Sequence, residues 1–209
     1  MRKKWAALLF FGAAWGVCEA TLGFVLHRMA VALPGLPGLP GALMFPIGYF
    51  WMRRAQKATG NGWAALSVAA VAASAKLADF LVPGADPVRV VGPALSILLE
   101  GLAVAVLYAQ DGAGKRLPVF RWFSMGVLWR TLFALYLYII SLFDFPAALV
   151  TNGLPTLLRF VLLESALNAA VIAAGVLAAS RLPRFRAMPV KPAAAWAACL
   201  LAIVAHAAL

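Results

Sequence analysis

The chain has 209 residues, of which 65% are hydrophobic and only 12% are charged, and its mean hydropathy is +0.93. Soluble domains are about half apolar and about a quarter charged, so this composition and its long apolar runs indicate an integral membrane protein. The net charge of +11 would suggest nucleic acid in a soluble protein, but the basic residues here cluster between the apolar runs. We therefore predict that they set the topology and contact anionic lipid, and that the protein does not bind nucleic acid.

The apolar runs predict an all-α, polytopic bundle of six core transmembrane helices, with a seventh apolar segment at the C-terminal end. The predicted core spans are 5–26, 41–52, 63–82, 90–108, 122–143 and 155–179. The second is short and irregular because it contains Pro46 and follows the Gly/Pro-rich tract 34–41. Together they make one domain, 1–209, with its core at 5–180. The accessory segment 192–209 either crosses the membrane or lies against the bundle.

The first apolar run is interpreted as a mature span. The N-terminal sequence is similar to a signal peptide, but the run continues to Leu26 and no A-x-A site closes it. Cys18 and Cys199 both lie inside apolar segments, so we expect neither a disulfide nor a metal site from them. No cofactor is predicted.

Lysine and arginine counts in the loops predict the orientation. The N-terminal segment and the loops 53–62, 110–121 and 181–191 carry thirteen of these residues, whereas the loops on the other side hold only Arg28 and Arg89. Because cytoplasmic loops carry the excess of Lys and Arg, the N-terminus is predicted to be cytoplasmic. The expected location is the cell membrane, plasma or inner, in contact with the lipid bilayer.

Eight charged or amide side chains lie inside the predicted spans. They are Glu19, Lys76, Asp79, Glu100, Arg130, Arg159, Glu164 and Asn168. A charge near the bilayer centre costs roughly 2.5–3.5 kcal/mol on insertion scales, so these groups are expected to face protein or a ligand. One interpretation is a ligand pocket, open to the outside and formed by glutamates and an arginine. The other is that the groups pair off, as Lys76 with Asp79, and only hold the bundle together.

Several motifs are missing from the sequence. It contains no G-x-x-x-x-G-K-[ST], no H-E-x-x-H, no G-x-S-x-G and no Cys/His cluster. We therefore predict that the protein is not an enzyme.

The span pattern resembles that of the substrate-binding S components of energy-coupling factor (ECF) transporters. The resemblance covers residues 5–180. It rests on the size, the six spans with a cytoplasmic N-terminus, the small-residue face of span one (Gly12, Gly16 and Ala20), and a long outer loop that leads into GALMFPIGYF. It implies that a vitamin or related molecule binds in an outward pocket under the loops 27–41, 83–89 and 144–155. It also implies that the small-residue face contacts a transmembrane coupling subunit powered by separate ATPases. Segment 192–209 departs from this pattern.

The lead hypothesis is an uptake component. It would bind a cationic or strongly hydrogen-bonding ligand among Glu19, Glu100, Glu164, Asn168 and Arg130, with Arg159, Lys76 and Asp79 as further candidates. A self-sufficient transporter coupled to cations or protons is the alternative, since intramembrane carboxylates can carry a coupling ion. A membrane-embedded enzyme acting on lipid or isoprenoid is a third possibility.

Overall fold

A computed structural model describes residues 2–32, 39–109, 118–143, 145, 147–181 and 190–208. All regular secondary structure in these ranges is helical, with no strand, which confirms the predicted all-α fold. The helices are α1 Arg2–Cys18, α2 Phe24–Ala32, α3 Leu39–Thr59, α4 Ala64–Lys76, α5 Pro87–Ala109, α6 Pro118–Ser141, α7 Ala148–Thr151, α8 Leu154–Leu158, α9 Glu164–Arg181 and α10 Pro192–Ala208.

Within the described residues, five helical stretches are long and apolar enough to cross a membrane. They are Lys4–Met29, Ala64–Leu81, Pro87–Tyr108, Pro118–Ser141 and Leu154–Arg181. Three of them change helix type partway. A π-helical turn, Glu19–Gly23, joins α1 to α2, another, Arg159–Leu163, joins α8 to α9, and a 3₁₀ helix, Leu77–Leu81, continues α4. The protein is therefore a multi-pass membrane protein, and its first and last long spans carry a local widening of the helix.

Helix α3 was predicted to be a short, irregular span, and the structure differs. It is a continuous helix of 21 residues that runs through Pro46. Phe45 and Met52 are fully buried in the bundle. Its C-terminal half contains Arg53, Arg54 and Lys57, which is why it is not one of the five stretches above. At about 1.5 Å per residue its length approaches the thickness of a bilayer core.

Three aromatic side chains tie helix ends together at one end of the bundle. The Trp122 Nε1 group donates to the Tyr49 hydroxyl at 2.7 Å, and that hydroxyl lies 2.7 Å from the hydroxyl of Tyr108. The contact joins the C-terminal half of α3, the end of α5 and the start of α6. These three segments were all predicted to lie at the cytoplasmic face.

Helix α10 runs alongside α1 in the same direction. Its Cys199 thiol lies 3.9 Å from the Leu9 carbonyl oxygen, and Ala202 packs beside Gly16, farther along α1. At the end of α10, the His206 ring lies 2.8 Å from an Asp79 carboxylate oxygen. The end of α10 therefore lies at the opposite end of the bundle from the start of α1, as a crossing segment requires.

This arrangement predicts that Lys4 and Ala207 label from opposite sides of the membrane. Both positions are exposed. Single cysteines would be placed at each, after Cys18 and Cys199 have been replaced by serine, and treated with a membrane-impermeant maleimide in intact and permeabilised cells. We expect Ala207→Cys to label in intact cells and Lys4→Cys only after permeabilisation. Labelling of both from one side would contradict a crossing α10.

The small-residue face of α1 is covered by helices of the same chain. A Cβ atom added at Gly12 would lie 2.5 Å from the Val71 Cβ, and one at Gly16 would lie 3.0 Å from the Ala75 Cβ and 3.4 Å from the Ala202 Cβ. Ala20 is also buried. The resemblance implied that Gly12, Gly16 and Ala20 contact a partner subunit. In the structure, α4 and α10 already occupy the face formed by the two glycines.

Replacing Gly12 by alanine is therefore expected to lower the free energy of unfolding by about 1–3 kcal/mol, because the added methyl overpacks the contact with α4. Gly175→Ala is the matched control. No atom lies within 4 Å of a Cβ at that position, so the better helix propensity of alanine should stabilise the protein by about 0.5–1 kcal/mol. The measurement is unfolding in mixed dodecyl maltoside and SDS micelles. Equal stability of the two variants would contradict the close approach of α1 and α4.

Candidate functional site

A cavity of about 430 Å³ lies in the half of the bundle remote from the N-terminus. Its wall comes from the later parts of the first span and of α6 and from the earlier parts of α3, α5 and the last long span. The volume is within the usual range for small-molecule sites. The lining residues of this acidic cavity are Glu19, His27, Pro40, Gly41, Met44, Pro93, Ser96, Ile97, Glu100, Trp129, Phe133, Phe160 and Glu164.

Three of the predicted site residues share this cavity. Glu19, Glu100 and Glu164 come from three different spans and all line it. Glu100 is 4% exposed and Glu164 is 8% exposed, so both carboxylates are largely shielded from solvent and lipid. The geometry brings the glutamates together in one hollow, and their role in binding a ligand stays a prediction.

The first π-helical turn positions Glu19. This residue opens the turn, and its Oε1 accepts a hydrogen bond from Trp15 Nε1 at 3.0 Å. At the end of the same turn, the Gly23 carbonyl oxygen lies 2.8 Å from His27 Nδ1. Because a carbonyl oxygen only accepts, Nδ1 must carry the proton, which leaves Nε2 of a neutral ring as an acceptor. π-Helical turns occur often at functional sites, and this one places two lining side chains.

The second π-helical turn positions Glu164, which directly follows it. Its Oε2 atom lies 3.6 Å from Nη2 of Arg130, which is too long for a hydrogen bond but close enough for a strong charge interaction. Arg130 is fully buried, and its guanidinium carbon lies 4.4 Å from the Trp129 ring centroid and 5.3 Å from that of Phe160. The arginine therefore sits behind the cavity wall and does not line it.

Asn168 holds this arginine and the start of α3 in place. Its Oδ1 accepts a hydrogen bond from Arg130 Nη1, and its amide nitrogen donates to the Ala42 carbonyl oxygen at 2.7 Å. Asn168 is fully buried and does not line the cavity. Arg130 and Asn168, both predicted site residues, therefore support the site from outside the cavity.

Lys76 and Asp79 form a separate group with His206, here called the Asp79 cluster. The Lys76 ammonium contacts one Asp79 oxygen, and His206 contacts the other at 2.8 Å. Neither predicted residue lines the acidic cavity, so the pairing interpretation describes this group. Arg159 is exposed and also lies outside the cavity wall. These three candidates therefore lie outside the cavity wall, although Lys76 is close enough to Glu19, and Arg159 to Glu164, for a charge interaction.

Several buried polar atoms on the cavity wall have no hydrogen-bond partner among the described residues. They are Glu100 Oε2, Glu164 Oε2 and Trp129 Nε1. More than about nine in ten buried polar groups in proteins are hydrogen-bonded, so their concentration on one wall is unusual. Such atoms are available to a bound molecule.

Sequence reasoning missed the aromatic part of the wall. Trp129 and Phe133 lie four residues apart on α6 and share one helix face. Phe160, in the second π-helical turn, makes an edge-to-face contact with Trp129, with ring centroids 5.9 Å apart. The spacing of the first two was visible in the sequence. It did not distinguish a cavity wall from a lipid-facing surface, because both are apolar.

No protein-family model, curated protein or solved structure matches the chain. In the part of the chain that the structure describes, no group of three or more His, Cys, Asp and Glu residues is arranged to hold a metal ion. The fold and the cavity define a class: a multi-pass, all-α membrane protein with an internal cavity that combines carboxylates with aromatic rings.

Proposed function

We propose that this membrane protein binds a small molecule in the acidic cavity and serves in its uptake. The supporting observation is the convergence of Glu19, Glu100 and Glu164 from three spans. One buried oxygen of Glu100 has no hydrogen-bond partner in the described part of the chain. The cavity lies in the half remote from the N-terminus. Since the distribution of Lys and Arg predicts a cytoplasmic N-terminus, the cavity faces outward, as uptake requires.

The mode of uptake we propose is that of an ECF-type S component. The cavity would capture a vitamin-like or cofactor-precursor-like molecule, and a transmembrane coupling subunit with ATPases would drive its release to the cytoplasm. Since α4 and α10 cover the glycine face of α1, the coupling subunit would have to contact another surface or displace α10.

A pull-down from native membranes tests this mode. Tagged protein would be purified in mild detergent, and the co-purifying proteins identified by mass spectrometry. ATPases together with a second membrane subunit support the proposal. A Glu100→Gln variant is the matched control, because it changes the cavity and should leave the partner contacts intact. Absence of both partners from wild-type and variant preparations would contradict the ECF-type mode.

A self-sufficient, ion-coupled transporter is a second candidate. The observation that favours it is α10 itself, which packs with α4 over Gly16 of α1 and brings His206 to the Asp79 carboxylate. The intramembrane carboxylates would then carry the coupling ion. Protein reconstituted alone into liposomes would be offered a panel of radiolabelled vitamins under a proton or sodium gradient. Gradient-driven uptake without partners favours this candidate, and its absence alongside co-purified ATPases favours the first.

A further inference from the structure

We propose that the acidic cavity takes a compact organic cation whose flat head carries N–H donors, with Glu100 as its counter-ion. This inference rests on the proposed function, because it names the ligand class of the same site. It follows from three separate properties of the wall: its charge, its hydrogen-bonding atoms and its shape.

The charge of the wall favours a cation. Three carboxylates, and no lysine or arginine among the described residues, line the cavity. Three cations act on the carboxylates from outside the wall: Arg130 and Arg159 on Glu164, and Lys76, which is already paired with Asp79, on Glu19. Glu19 already accepts a hydrogen bond from Trp15, whereas Oε2 of Glu100 has no hydrogen-bond partner among the described residues. An unpaired buried charge is costly, and an entering cation offsets that cost.

An anion has little to bind. The buried cation behind the wall is Arg130, whose Nη1 donates to Asn168 and whose Nη2 faces Glu164 at 3.6 Å. Its Nε and Nη2 have no hydrogen-bond partner among the described residues, but they do not line the cavity. An anionic ligand would have to displace Glu164 from that arginine while facing Glu100 and Glu19. The arrangement therefore disfavours carboxylates and phosphates as ligands.

The hydrogen-bonding atoms select a cation that can donate. Glu100 Oε2 and Glu164 Oε2 are acceptors without a hydrogen-bond partner among the described residues. The unpartnered buried donor among the described lining residues is Trp129 Nε1. A quaternary ammonium would leave the carboxylate oxygens unpartnered, whereas a protonated amine or amidine donates to them. Hydrogen bonds to charged groups contribute more than neutral ones.

The shape of the wall favours a flat head. Trp129 packs edge-on against Phe160 at 5.9 Å and lies 6.4 Å from Phe133, so three rings form one side of the cavity. Cations and aromatic rings both pack favourably on ring faces. The Trp129 ring already packs against one planar cation, the guanidinium of Arg130. Met44 and Ile97 add apolar wall, so a flat cation with an aromatic body suits the space.

Three probes of the same shape test the inference. Benzamidinium, benzamide and benzoate share a ring and a planar head and carry charges of +1, 0 and −1. Their dissociation constants would be measured by saturation-transfer NMR on protein in lipid nanodiscs, with empty nanodiscs as the blank for partition into lipid. We expect benzamidinium to bind at least about tenfold more tightly than benzamide, and benzoate not to bind.

A pair of variants locates the effect. Glu100→Gln should bring benzamidinium down to the affinity of benzamide. Asp86→Asn, which removes an exposed carboxylate outside the cavity, should leave the preference intact. Equal or tighter binding of benzamide or benzoate to the wild-type protein would overturn the inference, as would a cation preference that survives Glu100→Gln. The wild-type comparison decides the matter even if the variant does not fold.

The outcomes also separate the inference from the proposed function. If benzamide binds more tightly and the protein co-purifies with ATPases or drives uptake in liposomes, the inference about the ligand is wrong and the proposed function stands. If benzamidinium binds more tightly but the protein neither recruits partners nor moves any substrate, the uptake role is wrong and the ligand class stands.

Discussion

Arg130→Met is expected to lower the free energy of unfolding by about 3–5 kcal/mol, the usual cost of breaking a buried charge pair from one side. The guanidinium is fully buried, donates to Asn168 and faces Glu164 at 3.6 Å. Methionine fills the volume of the stem but leaves the Asn168 oxygen without its donor and removes the buried cation that faces the Glu164 carboxylate. The measurement is the unfolding transition in mixed dodecyl maltoside and SDS micelles.

The double variant Arg130→Met/Glu164→Gln shows whether the charge pair is the cause. Removing the carboxylate charge should restore the greater part of the lost stability, and the coupling between the two sites follows from the double-mutant cycle. Arg89→Met is the control, because that arginine is exposed and its contact with Asp86 is worth at most about 1 kcal/mol. If the effects of Arg130→Met and Glu164→Gln on the free energy of unfolding are additive, the two residues are not a coupled pair.

The long apolar stretches were predictable because a bilayer requires about 20 apolar residues from each helix. Two features of the fold were not. The sequence did not decide whether segment 192–209 crosses the membrane, because a helix of 17 residues is marginal in length. Its contact with α1 in the folded bundle shows that it runs alongside that helix. Helix α3 was predicted to be too short because its charged residues from Arg53 onward were assigned to a loop, whereas the helix continues to Thr59. It was predicted to be irregular because of Pro46, but a proline is tolerated in a membrane helix that packs against neighbouring helices.

The candidate site was predictable in its charges and not in its outline. Glu19, Glu100 and Glu164 each stood out because a carboxylate inside an apolar span is rare. The two π-helical turns, at Glu19–Gly23 and Arg159–Leu163, were not predicted because each adds one residue to a helical turn without a compositional signature. The aromatic wall was missed for a related reason, since rings at helical spacing are equally common in cores and on lipid-facing surfaces.

Glu100→Gln is expected to change stability and binding in opposite directions. The carboxylate is 4% exposed, and its Oε2 atom has no partner among the described residues. Glutamine keeps the shape and removes the buried charge, so the free energy of unfolding of the ligand-free protein should rise by about 1–3 kcal/mol. The same change removes the counter-ion of the proposed ligand. Affinity for benzamidinium should therefore fall by about 10- to 100-fold, the equivalent of about 1.4–2.8 kcal/mol.

The opposite signs separate a binding residue from a structural one. If Glu100 only held helices together, its replacement would lower the free energy of unfolding. The decrease would be similar to that expected for Arg130→Met. Glu19→Gln provides the comparison within the same cavity. Glu19 accepts a hydrogen bond from Trp15, and the amide oxygen of glutamine can still accept it, so this replacement should change the free energy of unfolding little. Natural binding sites commonly retain groups that are unfavourable for folding because the ligand needs them. A Glu100→Gln protein that unfolds more easily and still prefers benzamidinium would contradict both expectations at once.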